Sequence, residues 1–501
     1  MIIVSALLGL LRIDTIQVGS FYDDSHYIVL AESLANGSGY RLINYPVSPP
    51  ENAFPPGWSL ILSPFVAFFP ENYALLKVVS FAFWLLSILL ILRLFRQRIN
   101  HGWLTFLIVY VVIHPAMVGI SGTVMSESAY LFFSLSALVV IARWQREPHR
   151  WQWTVVGFVL ACCATAIRTV GITLIAAIVV GWLLQQRWDR KLILRVIFAA
   201  LLLTGVIAIL LASGIRMISD EYQEYLKFIL SQLTEYLQFW KQLEAVSFPS
   251  LADAVIPVFD LSITTTLLTE TGVYILSVVL LLVVAVGLLY ELRKRQIVEL
   301  YVLFYVILLY FWVVFIKEVQ PRLLIPIIPF LCYYFFSVLI GVSNWLTTRF
   351  ASASGFVKRM TPLVAASLLL LLLARNVQDW RKPQRERSVD LSLSGNWLRT
   401  NSVENSVIMA IDAVPTYLYA RRHTVNYPTE GENIAEYLAE NQVDYVLIQP
   451  SLKDVDRTKN LSELNEYTVT KLQPYLNAHP EDFEGVFAIP TQNIVVYEVI
   501  R

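Results

Sequence analysis

The stretch "GSFYDDSHYIVLAESLANGSGY", Gly19 to Tyr40, puts two adjacent carboxylates, Asp23 and Asp24, near the start of an otherwise overwhelmingly apolar chain. A helix-like run, Ser25 to Ala35, follows and stops at Asn36-Gly37, a common helix C-terminal signal. One acid suffices as an N-cap for that helix. Its neighbour is left without such a role, which makes the pair a functional candidate. The surroundings decide what kind of chain carries it. Of 501 residues, 56% are hydrophobic and 15% charged, against roughly 25% charged in soluble domains. Mean hydropathy is +0.59. The chain reads as a membrane protein and the acidic stretch as a loop outside the apolar slab. A formal net charge of zero leaves no nucleic-acid footprint. Cys162, Cys163 and Cys332 fall in apolar runs and read as small buried hydrophobes, not as a disulfide framework or metal site.

Apolar runs follow at 73–92, 103–122, 128–142, 151–168, 170–185, 196–213, 271–290, 297–316, 323–345 and 361–374. Met1 to Leu11 is apolar, lacks the basic flank of a cleavable signal, and is short for a span unless it extends to Val18 or is truncated. With it the expectation is about eleven spans. Basic clusters then fall on one side of the membrane: Arg93, Arg96 and Arg98; Arg143, Arg146 and Arg150; Arg187, Arg190, Lys191 and Arg195; Arg293, Lys294 and Arg295; Arg349, Lys358 and Arg359. The positive-inside rule makes that side cytoplasmic.

Three longer polar pieces fall on the other side: 14–72, 214–270 and the tail 376–501. In the second, Tyr222, Leu226, Ile229, Leu233, Tyr236, Trp240 and Leu243 recur at helical spacing, which predicts an amphipathic helix on the membrane or the bundle. In the tail, "SVIMAI" (406–411), "DYVLIQ" (444–449) and "NIVVYEVI" (493–500) read as strands around the helix-like "NIAEYLAEN". That alternation predicts a small α/β domain. The fold class is therefore mainly α: a polytopic helix bundle over 1–375 with a small extracytoplasmic α/β domain over 376–501.

Several other ionisable residues map to outer turns: Glu127 in "MSESAY", Arg168 in "ATAIRTVGITLI", and Lys317 and Arg322 in "FIKEVQPRLLIPIIPF". A charge near the apolar slab costs ~2.5–3.5 kcal/mol at its centre and less at the interface, so such residues are functional candidates by default. Each also has a plain reading. Glu127 can cap a turn, Arg168 can snorkel, Lys317 can anchor at the interface, and Arg322 follows Pro321 as at a helix start. His26 and His114 read as hydrogen-bonded loop or core residues. Asp24 with His26 supplies two ligand types for a metal in one loop, short of a full set.

Acids from one loop and arginines from other turns suit attack at a carbon that bears a phosphate leaving group. The carboxylate takes a proton from the acceptor, and the cations stabilise charge on the departing phosphate. Pro-containing segments at 52–65 and 324–330 would shape an outward cleft. On "YDDSHYIVLAESLANGSGY", "PPGWSLILSPF", "MSESAYLFFSL", "AIRTVGITLI" and "QPRLLIPIIPF", in this order over most of the first 345 residues, the chain resembles the GT-C class of polytopic glycosyltransferases that use polyprenyl-phosphate sugars. Within that class the likeness is to protein O-mannosyltransferases and the lipid A aminoarabinose transferase, and more loosely so around "AIDAVPTYLYARRHTVNYP" (410–428).

The resemblance implies a helical bundle with juxtamembrane helices in the outer loops, and inverting transfer to an acceptor protein, glycolipid or polysaccharide on the outer face of the cytoplasmic membrane. It implies that Asp23 is the general base and that Tyr27 stands at the expected place after it. Arg168 and Arg322, with Lys317 as an addition, meet the lipid phosphate. Glu127 and Asp24 orient the acceptor or a divalent ion such as Mg or Mn. Asp24 stands where relatives more often have Glu. His26 and Tyr27 are candidate acceptor or sugar contacts. The rival from another class is a transporter or flippase for lipid-linked glycans or small molecules. It should show repeated halves and midplane charges, and the sequence shows neither.

Overall fold

The computed structural model describes residues 16–147, 152–185, 248–257, 269–316, 321–381, 390–429, 431–451 and 464–500, with Leu7, Gly9 and Leu10. The amphipathic pattern at 222–243, the run at 196–213 and Lys317 lie outside the described residues. The chain divides into two compact units. One comprises Trp84–Met117 and Ala129–Arg375; the other comprises Ile3–Phe83, Val118–Ser128 and Asn376–Arg501.

The chain opens with α1 (Asp23–Ala35), α2 (Pro56–Phe68) and α3 (Tyr73–Phe95), the last of which crosses the division. The rest of the helical unit carries α4 (His101–Val112) and α5 (Pro115–Ser121), α6 (Glu127–Arg146), α7 (Gln152–Ile167), α8 (Ile172–Gln185), α9 (Glu270–Leu292), α10 (Ile297–Ile316), α11 (Pro321–Leu324), α12 (Ile328–Arg349) and α13 (Ala351–Arg381), of which α5, α6 and α13 also straddle the division. Among the described residues, five helices are long and apolar enough to cross a membrane, and six if α4 and α5 form one broken span. These helices fall on the apolar runs read from the sequence, with two differences. The run at 103–122 is bent by 54° at His114, because Pro115 has no N–H to continue the ladder of α4. The run at 323–345 opens with the single turn α11 before α12. Pro326 disfavours helix at Ile325 and interrupts the bonding there.

Small residues set two close helix pairs in this unit. A Cβ on Gly287 of α9 would lie 2.4 Å from the Tyr334 carbonyl oxygen of α12, and one on Gly181 of α8 would lie 2.3 Å from Ile297 Cγ1 of α10. Glycine lets the helices approach, as is common in membranes. At the end of the unit where the basic clusters lie, the half-buried Arg98 pairs with the buried Glu299 and with Gln296.

The second unit contains a five-stranded sheet of order β2-β1-β3-β5-β4. Its strands are β1 (Val407–Ala410), β2 (His423–Val425), β3 (Tyr445–Ile448), β4 (Phe483–Ile489) and β5 (Ile494–Val499). β2, β1 and β3 are parallel, while β5 is antiparallel to both β3 and β4. Alternate residues fill opposite faces, as strand pleating requires. Met409, Val446 and Ile448 join one core, while Ile408, Ala410, Leu447 and Val496 join the other. The tail also supplies α14 (Leu391–Asn401), α15 (Ala413–Ala420), α16 (Ile434–Glu440) and α17 (Gln473–Ala478). Its edge strand β2 is covered by the first loop: Thr424 N–H donates to the Asn44 carbonyl at 2.7 Å. Asn44 Nδ2 donates to Thr424 Oγ1 at 3.1 Å.

Candidate active site

The acidic pair opens α1 after a tight turn. Gly19 has φ +97°, a conformation that glycine adopts without steric cost. Tyr22 has φ 62° and ψ −54°, and Asp23 N–H donates to the Phe21 carbonyl at 2.6 Å. Those angles with an i→i+2 bond define the strained γ-turn of positive φ. Backbone strain of this sort costs ~1–3 kcal/mol and persists only where surrounding contacts over-determine it.

The two acids differ in what the turn does with them. Asp24 is fully buried. Its Oδ2 accepts from Gly19 N–H at 2.9 Å and its Oδ1 from Ser25 N–H at 3.0 Å. Burial pushes its carboxyl up to about 6, with the Gly19 bond opposing and the neighbouring Asp23 adding. Asp23 is half-buried on the first turn of the helix. Asp24 therefore anchors the turn from inside, while Asp23 stands half-buried beside it. Neither acid is an N-cap in the strict sense, because the cap residue is Tyr22. Tyr22 is itself set among acids: after burial, Tyr45, Asp412, Asp23 and Glu51 hold its hydroxyl above its ordinary range.

One helical turn after Asp23, the buried Tyr27 hydroxyl lies 3.1 Å from Ser126 Oγ. Ser126 precedes Glu127, which is also buried. The segment carrying them is held from a second side, since Trp58 Nε1 of α2 donates to the Val124 carbonyl at 2.9 Å. Asp23, Asp24, Tyr27 and Glu127 thus belong to one unit, linked through the Tyr27–Ser126 contact. His26 is buried, with Nδ1 3.1 Å from the Tyr22 carbonyl and its ring stacked on Phe54 at 4.7 Å. Among the described residues no three His, Cys, Asp or Glu side chains gather as a metal set. Asp24 and His26 are engaged with the backbone of their own turn, so the pair fits shaping of that turn better than metal ligation.

The two arginines belong to the helical unit. Arg168 is half-buried where α7 gives way to a single 3₁₀ turn, Thr169–Gly171, and then to α8. Gly171 makes this junction possible, since a Cβ there would lie 2.7 Å from Thr165 backbone. Arg168 is a Coulombic neighbour of the Tyr130 hydroxyl, which lies 3.3 Å from that of Tyr301. Arg322 is half-buried in α11. That turn is held by Tyr305, whose hydroxyl donates to the Leu323 carbonyl at 2.7 Å.

A network with no local sequence signature ties the tail to the first loop. Arg421 Nη1 is 2.9 Å from both Glu32 carboxylate oxygens, and Nη2 donates to Tyr73 Oη at 2.7 Å. Arg421 Nε lies 3.6 Å from Glu71 Oε1. Arg399 closes the group on Glu71 at 2.7 Å. Burial pushes Glu32 above the ordinary carboxylate range and Arg421 pulls it back. The Arg399 hydrogen bond holds Glu71 below that range. Arg421 and Glu32 are 389 residues apart in sequence, so no local pattern announces the pair.

The chain has the fold of the GT-C class of membrane glycosyltransferases. Solved structures of two proteins are among those it resembles. One is the oligosaccharyltransferase of Archaeoglobus fulgidus, solved in complex with zinc and sulfate. It has a TM-score of 0.53 and 15% identity over 98% of this chain and 72% of that one. The other is ArnT from Cupriavidus metallidurans bound to undecaprenyl phosphate, with a TM-score of 0.54 and 13% identity over 99% of this chain and 96% of that one. The same ArnT in its apo state gives 0.52 and 13%, over 95% and 92%. No family profile and no curated protein matches the chain.

Proposed function

We propose that the chain transfers a sugar from a polyprenyl-phosphate carrier to an acceptor on the outer face of the cytoplasmic membrane. The observation that carries this reading is the acidic turn. A strained γ-turn holds one carboxylate fully buried and backbone-bound beside a half-buried neighbour at the first turn of a helix, in a chain whose fold is that of a protein solved with undecaprenyl phosphate. In the reaction, Asp23 accepts the proton of the acceptor hydroxyl or amine as that atom bonds to the anomeric carbon. The bond from that carbon to the phosphate oxygen breaks, and polyprenyl phosphate departs with both electrons. Attack opposite the leaving group inverts the anomeric centre. Arg168 and Arg322, with Lys317, hold the phosphate and offset its growing charge. Asp24 keeps the turn in shape, and Glu127 with Tyr27 and His26 orients the acceptor.

In this reading the chain crosses the membrane about eleven times, with its basic clusters inside. Residues 1–375 form the transmembrane catalytic part and 376–501 an extracytoplasmic domain. The test is turnover of a panel of short-chain polyprenyl-phosphate sugars by the purified chain and by Asp23→Asn. A positioned general base contributes roughly 10²–10⁴-fold, so turnover should fall by that factor while polyprenyl-phosphate binding persists. Full turnover by folded Asp23→Asn would remove the reading. A transporter or flippase would tolerate the change.

A further inference from the structure

The Arg421 network has no part in the chemistry just proposed, yet the tail elements around it converge on the segment that carries Asp23. Before the turn, Tyr419 Oη of α15 donates to the Val18 carbonyl at 2.8 Å. Gln17 Nε2 donates to Asp390 Oδ1 at 3.0 Å. At the turn, Gly19 lies against the tail: a Cβ there would meet Leu391 Cδ1 at 3.0 Å and Pro415 Cβ at 3.3 Å. After the turn, Arg421 grips Glu32 near the end of α1 with one nitrogen on both carboxylate oxygens. Arg421 is also in the left-handed region, φ 50° and ψ 39°, which non-glycine residues seldom adopt. The strained Tyr22 lies between these attachments.

Such a buried ion pair is weak support for stability, because desolvation offsets most of the attraction, and its best-attested use is to fix register. What it fixes here is the length of chain from Val18 to Glu32. We infer that Tyr419 and Arg421 are positioning residues that clamp both ends of this segment, hold the Tyr22 turn, and so set the direction in which the Asp23 carboxylate leaves the backbone. The inference rests on the proposed role of Asp23. It makes the tail a working part of the site instead of an appended domain.

The test is amide hydrogen exchange on the detergent-solubilised full chain without ligand, for wild type, Tyr419→Phe and Arg421→Met, with Arg399→Met as a comparison on the exposed side of the network. Amides of 17–25 should exchange about tenfold faster or more in both positioning variants, and in Tyr419→Phe 407–410 and 445–448 stay protected as in wild type. Arg399→Met should leave 17–25 unchanged. With whichever polyprenyl-phosphate sugar turns over, kcat should fall at least about tenfold while KM for the donor stays within about twofold. Unchanged protection of 17–25 in both variants overturns the inference, as does faster exchange with unchanged kcat. If Arg421→Met also loosens the sheet, Tyr419→Phe decides, because it removes one hydroxyl and nothing else. Exchange reports on the clamp whether or not Asp23 is the base. Failure of the inference is thereby separable from failure of the functional reading.

Discussion

Asp24 offers a quantitative test of how the acidic turn is built. Its carboxyl is moved from 3.8 to about 6 by burial, against two backbone N–H bonds. At 1.36 kcal/mol per unit, the ionised form costs the folded chain about 3 kcal/mol at neutral pH. The sign follows from linkage. A carboxyl whose folded pKa lies above its unfolded value binds its proton more tightly in the folded chain. Its contribution to stability is therefore complete below about pH 4 and lost as pH rises through about 6. Asp24→Asn keeps an oxygen for the Gly19 N–H and has no charge to bury, so its stability should not fall across that window. The assay is the thermal midpoint of wild type and Asp24→Asn in detergent from pH 4 to 8. Titrations common to both cancel in the difference, and 1 kcal/mol moves the midpoint by roughly 2–4 °C in domains of 150–250 residues. The variant should gain on wild type between pH 4 and 7 by several degrees. Parallel curves would refute the reasoning and mean that Asp24 is as well solvated by its hydrogen bonds as it would be by water.

Other consequences can be measured with the same material. Arg421→Met leaves Glu32 buried without its guanidinium and should cost about 3–5 kcal/mol at neutral pH, less as pH falls and Glu32 takes up a proton; the thermal midpoint at pH 5 and 8 checks this. Arg399→Ala breaks an ion pair whose partners are 45% and 40% exposed, and should change stability by less than about 1 kcal/mol. Gly19→Ala forces an alanine to φ +97° beside Leu391 and Pro415. It should cost about 1–3 kcal/mol, seen as a lower midpoint and faster exchange over 17–25.

The amount legible in the sequence differs between the parts of the chain. Helices α3, α6 and α9 stand out because long apolar runs have few alternatives, and α1 is bounded by its acids and by Asn36-Gly37. The kinks at His114 and Ile325 were written in Pro115 and Pro326, but an apolar run suggests continuity. Strands β1, β3 and β5 are rich in Val and Ile and were readable. β2 is three residues long, and β4, "FEGVFAI", is interrupted by Gly485, where its register with β5 shifts. Of the candidate site, residue type and loop position pointed to Asp23, Asp24, Glu127, Arg168 and Arg322. The division of labour between the two acids was not readable, since it depends on the Gly19 amide reaching Asp24 through the turn. The same holds for Glu32 with Arg421, whose meeting is a property of the tail's docking and not of any local pattern.

Transfer from a polyprenyl-phosphate carrier requires that the chain hold the leaving group, and one measurement addresses this directly: native mass spectrometry of the detergent-purified chain with short-chain polyprenyl phosphate, for wild type and for the double variant Arg168→Ala, Arg322→Ala. Wild type should bind it, and the double variant should bind at least about tenfold more weakly through the loss of two charge-assisted contacts. Equal binding in both, or none in either, would contradict such transfer.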